Sequence, residues 1–161
     1  MRFVMRRIVF YMHLPIILLY CIYNNVGVIK MLIQIEPQSA IPIYEQVTQQ
    51  IIEGIAKGEL KPGDTLPSVR NLAADLGVNM HTVNKSYHEL EAKGILTIRP
   101  KSGAIIRSIE ERGLTPDQLK KIEKNLKPVV AEGLVLGATA DQIEHMMKKV
   151  FADLQVLTEG V

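Results

Sequence analysis

The stretch from Leu76 to Leu96 reads LGVNMHTVNKSYHELEAKGIL, and it decides the fold. Its spacing is typical of an amphipathic helix that begins after Asn79, a residue suited to cap a helix. Val83, Tyr87 and Leu90 fall on one face of that helix and predict a buried side. The opposite face is polar and is available to another molecule. It carries Met80, His81, Asn84, Lys85 and His88.

Two helices are predicted before this stretch. An extended segment over Leu32–Ile35 precedes a helix over about 43–57, in which an apolar residue recurs every fourth position. A second, short helix follows Ser68, which is a favourable N-cap, and Gly77 ends it. The tight turn after Gly77 then leads directly into the polar-faced helix.

A β-hairpin is predicted after Gly94. Apolar residues alternate through Ile95–Arg99, and a return strand follows in Ala104–Ser108. Two helices, a tight turn and a hairpin with basic residues describe a winged helix-turn-helix. The fold class is therefore mainly α with a small β-hairpin wing, over residues 31–108.

Residues 109–161 form a helical tail with two capping signatures, TPDQ at 115–118 and TADQ at 139–142. The two helices that follow are too few to enclose a core, so we expect their apolar stripes to pack against a second copy of the chain. Pro128 should kink the first of them. The expected dimerisation residues are Leu119, Ile122, Leu126, Val130, Ile143, Met146, Met147, Val150 and Phe151.

The first 30 residues differ from the rest: basic residues are followed by an apolar run over Ile8–Tyr23. This run resembles a secretory signal without a clean cleavage site, and it is short for a membrane span. Composition changes at Met31, which favours translation from that residue. A membrane anchor and a packed or disordered extension are the alternatives.

Charge and cysteine content limit the function classes. Cys21 is the single cysteine, so an intrachain disulfide and a cysteine metal cluster are excluded, and a reducing, cytoplasmic location is expected. Residues 1–30 carry four bases and no acid, which leaves 15 basic against 17 acidic residues elsewhere, a net of −2. Six bases oppose three acids between Ser68 and Arg107, so positive charge is concentrated around the predicted helix-turn-helix and wing.

Pro42–Ile106 closely resembles the DNA-binding domain of GntR-family bacterial transcriptional regulators. The matches are GELKPGDTLPSVRNLA at 58–73, the pattern LGVN..TV.K.Y.EL...G at 76–94, and a wing ending in glycine and β-branched residues. The short tail resembles that of the YtrA-type branch. The resemblance implies a homodimeric repressor that binds an inverted-repeat operator and is often encoded beside ABC-transporter genes.

DNA recognition divides into groups that read bases and groups that position the protein on phosphates. Asn84 suits adenine, and Met80, where some relatives carry arginine, suits a thymine methyl group. The resemblance assigns Arg70 to DNA, although an ion pair with Asp75 or Glu45 is an alternative. The predicted DNA-binding residues are Ser68, Arg70, Asn79, Met80, His81, Thr82, Asn84, Lys85, Arg99 and Lys101.

Other functions have less support. Paired catalytic carboxylates, a nucleophile with its base and a phosphate-binding glycine loop are missing from the sequence, so we expect neither an enzyme nor a cofactor. His81 and His88 are a weak metal pair. A membrane-tethered regulator and a protein-interaction module remain alternatives, and the sequence leaves a small-molecule effector undecided.

Overall fold

The computed structural model describes residues 18–23, 29–99, 103–108, 110 and 113–154, and of residues 18–31 only the backbone. The elements in these ranges, in chain order, are β1 (Leu18–Tyr23), β2 (Ile29–Ile35), α1 (Ile43–Ala56), β3 (Thr65–Leu66), α2 (Val69–Leu76), α3 (Met80–Ala92), β4 (Leu96–Arg99), β5 (Gly103–Ile106), α4 (Pro116–Val135) and α5 (Ala140–Asp153).

Strand β2 lies between β1 and helix α1. It pairs with β1 in an antiparallel ladder, while its other edge bonds to glutamine side chains of α1. The Gln50 amide accepts from the Gln34 N–H at 2.8 Å and donates to the Gln34 carbonyl at 2.6 Å. Gln46 bonds in the same way to Glu36. These side-chain amides satisfy backbone N–H and C=O groups that a neighbouring strand would otherwise bond, and they fix the position of β2 along α1.

The predicted extended segment is confirmed, and the strand begins before it. The boundary expected between residues 30 and 31 falls inside β2. Of the apolar run over Ile8–Tyr23, residues 18–23 form β1, and residues 8–17 lie outside the described part of the chain. Among the described residues, no helix has the length and apolar character needed to cross a bilayer.

One core joins β2, the first three helices and the wing. The predicted buried face of α3 is confirmed, since Val83, Tyr87 and Leu90 are fully buried. Gln46, Thr48 and Ser86 are buried polar residues that the sequence pattern did not indicate. The buried apolar residues are Ile33, Ile35, Val47, Ile51, Leu60, Leu66, Leu72, Ala73, Leu76, Val83, Tyr87, Leu90, Leu96, Ala104 and Ile106.

The wing is a three-stranded sheet rather than the predicted two-stranded hairpin. The order is β3-β5-β4, so β5 is central and the two-residue strand β3 pairs along its other edge. Gly103 opens β5 at φ +104°, and a β-carbon there would lie 2.1 Å from the Leu66 carbonyl oxygen. A glycine is therefore required where β5 passes the end of β3. This contact connects the wing to the chain entering α2.

Both predicted tail helices are present, and both begin with complete capping boxes at Thr115 and Thr139. Pro128 lies inside α4, which continues to Val135. Neither helix has a buried side chain. The apolar stripes of the tail are therefore exposed in the single chain.

Candidate nucleic-acid interface

The amino-terminal half of α3 is the centre of the candidate interface. The Asn79 side chain caps the helix by accepting a hydrogen bond from the His81 N–H at 2.8 Å. Met80, His81 and Asn84 are exposed, as expected for residues that read DNA bases. The cap uses the side-chain carbonyl oxygen of Asn79, and the two N–H groups of the same amide stay outside the cap as hydrogen-bond donors.

The turn between α2 and α3 orients this surface. Gly77 ends α2 at φ +66°, a left-handed conformation that glycine adopts readily. The Val78 N–H then donates to the Ala73 carbonyl at 3.0 Å, which closes the helix end. Leu76 is buried and Val78 packs against the core, so the turn fixes the orientation of α2 relative to α3.

Helix α2 presents Ser68 and Arg70. The Ser68 hydroxyl accepts from the Asn71 N–H at 3.3 Å and caps the helix. Arg70 is exposed and, within the described ranges, pairs with no carboxylate. The alternative ion pair with Glu45 is not among the ion pairs of the described residues, and Glu45 accepts a hydrogen bond from the Tyr44 hydroxyl at 2.6 Å. Arg70 is thus available to a negatively charged partner.

Positive charge is unevenly neutralised along α3. In its carboxyl-terminal half, Lys93 pairs with Glu89 at 2.6 Å, and His88 lies 3.4 Å from Glu91. Lys85 forms no ion pair with any described residue and is exposed. Unpaired positive charge therefore accompanies the exposed polar residues of the amino-terminal half. Such a surface favours an anionic ligand.

The wing contributes Arg99 at the end of β4. This side chain is exposed, and its backbone pairs with Gly103 across the hairpin. Strand β4 is also bound to α3, because the Ile98 N–H donates to the Glu91 carboxylate at 3.0 Å. Lys101 lies outside the described residues, so its predicted role stays a prediction.

Tyr44 is a residue of this surface that sequence reasoning did not assign. The Lys85 ammonium nitrogen lies 3.5 Å from the centre of the Tyr44 ring, a cation–π contact. The hydrogen bond to Glu45 is the main cause that raises the pKa of Tyr44. Residues 44 and 85 belong to different helices, so no local spacing pairs them. In the sequence, the only indication of this contact was an aromatic residue beside the apolar face of α1.

Six of the nine predicted tail residues are exposed. Leu119 and Ile122 are each 55% exposed, and Met146 is 51% exposed. These fractions are large for apolar side chains and typical of surfaces that pack against a partner. Val130, Ile143 and Met147 are partly buried.

The described residues contain no cluster of three or more histidine, cysteine, aspartate or glutamate side chains that could hold a metal ion. His81 and His88 are both exposed on α3. The histidine pair considered from the sequence is therefore not extended by further ligands in the described part of the chain.

Comparisons with known proteins agree with this geometry. Residues 43–106 match the family of bacterial regulatory proteins called gntR. The chain is 37% identical over 124 residues to the HTH-type transcriptional repressor YtrA of Bacillus subtilis (strain 168), covering 77% of this chain and 95% of that relative.

Two solved structures are also similar. One is a transcriptional antiterminator from Listeria monocytogenes EGD-e, with a TM-score of 0.70, 31% identity and coverage of 74% of this chain and 90% of that one. The other is a GntR family transcriptional regulator from Listeria monocytogenes, with a TM-score of 0.53, 30% identity and coverage of 70% and 97%. The chain therefore belongs to the gntR family of bacterial regulatory proteins, which are DNA-binding transcription regulators.

Proposed function

We propose that this protein is a homodimeric repressor that binds an inverted-repeat operator of its own, transporter-linked operon. The observation that carries the proposal is the exposed, unneutralised polar and basic surface formed by α2 and the first half of α3. A winged helix-turn-helix inserts the start of its recognition helix into the major groove. In this chain the recognition helix is α3, and the surface described above lies at its start. The repressor relative supports the direction of regulation.

Within this interface, the exposed residues of α3 read bases. Asn84 has an amide that can bond both N6 and N7 of adenine, and Met80 offers an apolar contact to a thymine methyl group. Arg70 extends from α2 to a guanine or a phosphate. Ser68, Thr82 and Lys85 bond to phosphates, and Arg99 with Lys101 contacts the flanking groove from the wing.

The tail supports the dimer. Its two helices leave Leu126, Val150 and Phe151 exposed to between 41% and 47%, so a monomer would place a long apolar stripe in water. A second copy would cover the same stripe by two-fold symmetry. That symmetry predicts an operator with half-sites about 34–36 Å apart, or one helical turn.

The test is a titration of the full chain with the promoter of its own operon, at two salt concentrations and with excess competitor DNA. We expect a complex that survives the competitor and weakens with salt. Arg70→Ala should lose roughly 1–3 kcal/mol for each half-site if it reads a base, while Lys148→Ala should bind normally. Lys148 is the matched control because it is an exposed lysine on α5, paired with Glu144 at 2.7 Å.

Two results would count against the proposal. If Arg70→Ala and Lys148→Ala weaken binding equally, the charge rather than the α2–α3 surface determines affinity. If no promoter fragment is bound, selection from random-sequence DNA shows whether the protein recognises a different operator. Failure to select any sequence would reject a sequence-specific DNA-binding function.

A further inference from the structure

Tyr44 belongs to the interface described above but has no proposed contact with DNA, and it contacts one of the cations of that interface. The Lys85 ammonium nitrogen lies over the ring, 3.5 Å from its centre. Glu89, one turn along α3, pairs with Lys93, and Lys85 forms no ion pair with any described residue. The aromatic ring of α1 is therefore the partner that fixes the Lys85 head group among the described residues.

The position of the ring is itself fixed. Ser86, the residue after Lys85, is fully buried, and its hydroxyl donates to the Tyr44 carbonyl at 2.8 Å. The Thr48 hydroxyl donates to the same carbonyl at 2.8 Å. The backbone at Tyr44 is thereby attached to α3 beside Lys85, which makes the contact between ring and ammonium a property of the packed helices.

The hydroxyl end of the ring is also held. It donates to the Glu45 carboxylate at 2.6 Å, and this bond is the largest cause of the raised pKa of Tyr44. The ring therefore stays neutral at physiological pH, and its face keeps the negative quadrupole that attracts a cation. Position and electronic state of the ring both suit a lysine head group.

We propose that Tyr44 is a positioning residue for DNA binding, which holds the Lys85 ammonium ready for a backbone phosphate. The proposal rests on the proposed function, since it requires that α3 meets DNA. An ammonium has three N–H donors, and a ring face on one side leaves donors directed outward. A free lysine loses rotamer freedom when it binds a phosphate, and a lysine already held by a ring loses less.

The experiment is a double-mutant cycle with the full chain and a DNA duplex selected by the wild-type protein from random-sequence DNA. Tyr44→Leu removes the ring, Tyr44→Phe keeps the ring without the hydroxyl, and Lys85→Met keeps an apolar stem without the charge. We expect Tyr44→Leu to weaken binding roughly two- to five-fold for each half-site, with Tyr44→Phe close to wild type. In the Lys85→Met background, Tyr44→Leu should cause no further loss.

A purely structural role for Tyr44 predicts a different outcome. If Tyr44→Leu and Lys85→Met weaken binding additively, or if Tyr44→Phe is as weak as Tyr44→Leu, the positioning role is wrong. Thermal unfolding of each variant identifies any loss of fold, and Tyr44→Met replaces Tyr44→Leu in the cycle if the leucine variant unfolds. Wild-type protein that selects no DNA would reject the proposed function itself, whereas additive variants of a protein that binds DNA reject only this inference.

Discussion

Replacing Gly103 with alanine should destabilise the protein strongly, because two costs act together. The residue has φ +104°, where a non-glycine residue is strained by about 1–3 kcal/mol. The added β-carbon would also lie 2.1 Å from the Leu66 carbonyl oxygen and 2.9 Å from the Pro67 carbonyl carbon. These neighbours are backbone atoms, so relief requires a shift of the chain, and overpacking costs about 1–3 kcal/mol more. The expected loss of unfolding free energy is therefore about 2–6 kcal/mol.

Urea denaturation of Gly103→Ala measures this loss, and Gly63→Ala is the matched control. Gly63 has φ +84°, but a β-carbon there would meet nothing within 4 Å. The control should show the backbone strain alone, so Gly103→Ala should be less stable than Gly63→Ala by at least about 1 kcal/mol. Equal stabilities would refute the argument from the Leu66–Pro67 contact. DNA affinity should also fall in Gly103→Ala, because the same segment leads into the Ser68 cap of α2.

Three further predictions concern the cap, the tail and the tyrosine. Asn79→Ala should lower the unfolding free energy by about 1 kcal/mol, because the cap to the His81 N–H is lost. Asn84→Ala, at an exposed position, should change DNA binding with little effect on stability. Denaturation and DNA titration of both variants separate the stabilising role of Asn79 from the DNA-binding role of Asn84. Phe151→Asp should dissociate the proposed homodimer into monomers in sedimentation, because a charge would enter the exposed apolar stripe of the tail; a variant that sediments like the wild-type dimer would place the interface elsewhere. The raised pKa of Tyr44 means that its bond to Glu45 stabilises the fold below the ordinary value of 10.0 and is lost as pH rises through the folded pKa. Tyr44→Phe should therefore be less stable than wild type in neutral buffer and should lose less stability in strongly alkaline buffer, a difference that unfolding at the two pH values measures.

Local patterns were sufficient for most of the elements. The caps at Ser68, Asn79, Thr115 and Thr139 act over three residues or fewer, so their helix starts were predicted and are confirmed. The buried face of α3 follows from helical periodicity alone. The third strand of the wing was missed because β3 has two residues, too few for any alternating pattern.

The candidate site divides in the same way. Exposure of Met80, His81 and Asn84 follows from their places on the helix, and the structure agrees. Roles at DNA for these residues stay predictions, since bases and phosphates are recognised by a complementary surface rather than by exposure. Whether Arg70 pairs with Glu45 was open from the sequence, because the two residues belong to different helices and their distance depends on how those helices pack.

What the sequence by itself determined is the five helices, the extended segment at 32–35, the two hairpin strands of the wing, the buried face of α3 and the family, since each depends on neighbours within a few residues or on a contiguous 65-residue resemblance. Only the tertiary structure decided the contacts between distant segments. It placed the Tyr44 ring over Lys85, directed the Ser86 hydroxyl to the Tyr44 carbonyl, and required a glycine at 103 beside the end of β3. These contacts join residues about 40 positions apart, and their geometry depends on how whole elements pack rather than on the order of residues along the chain.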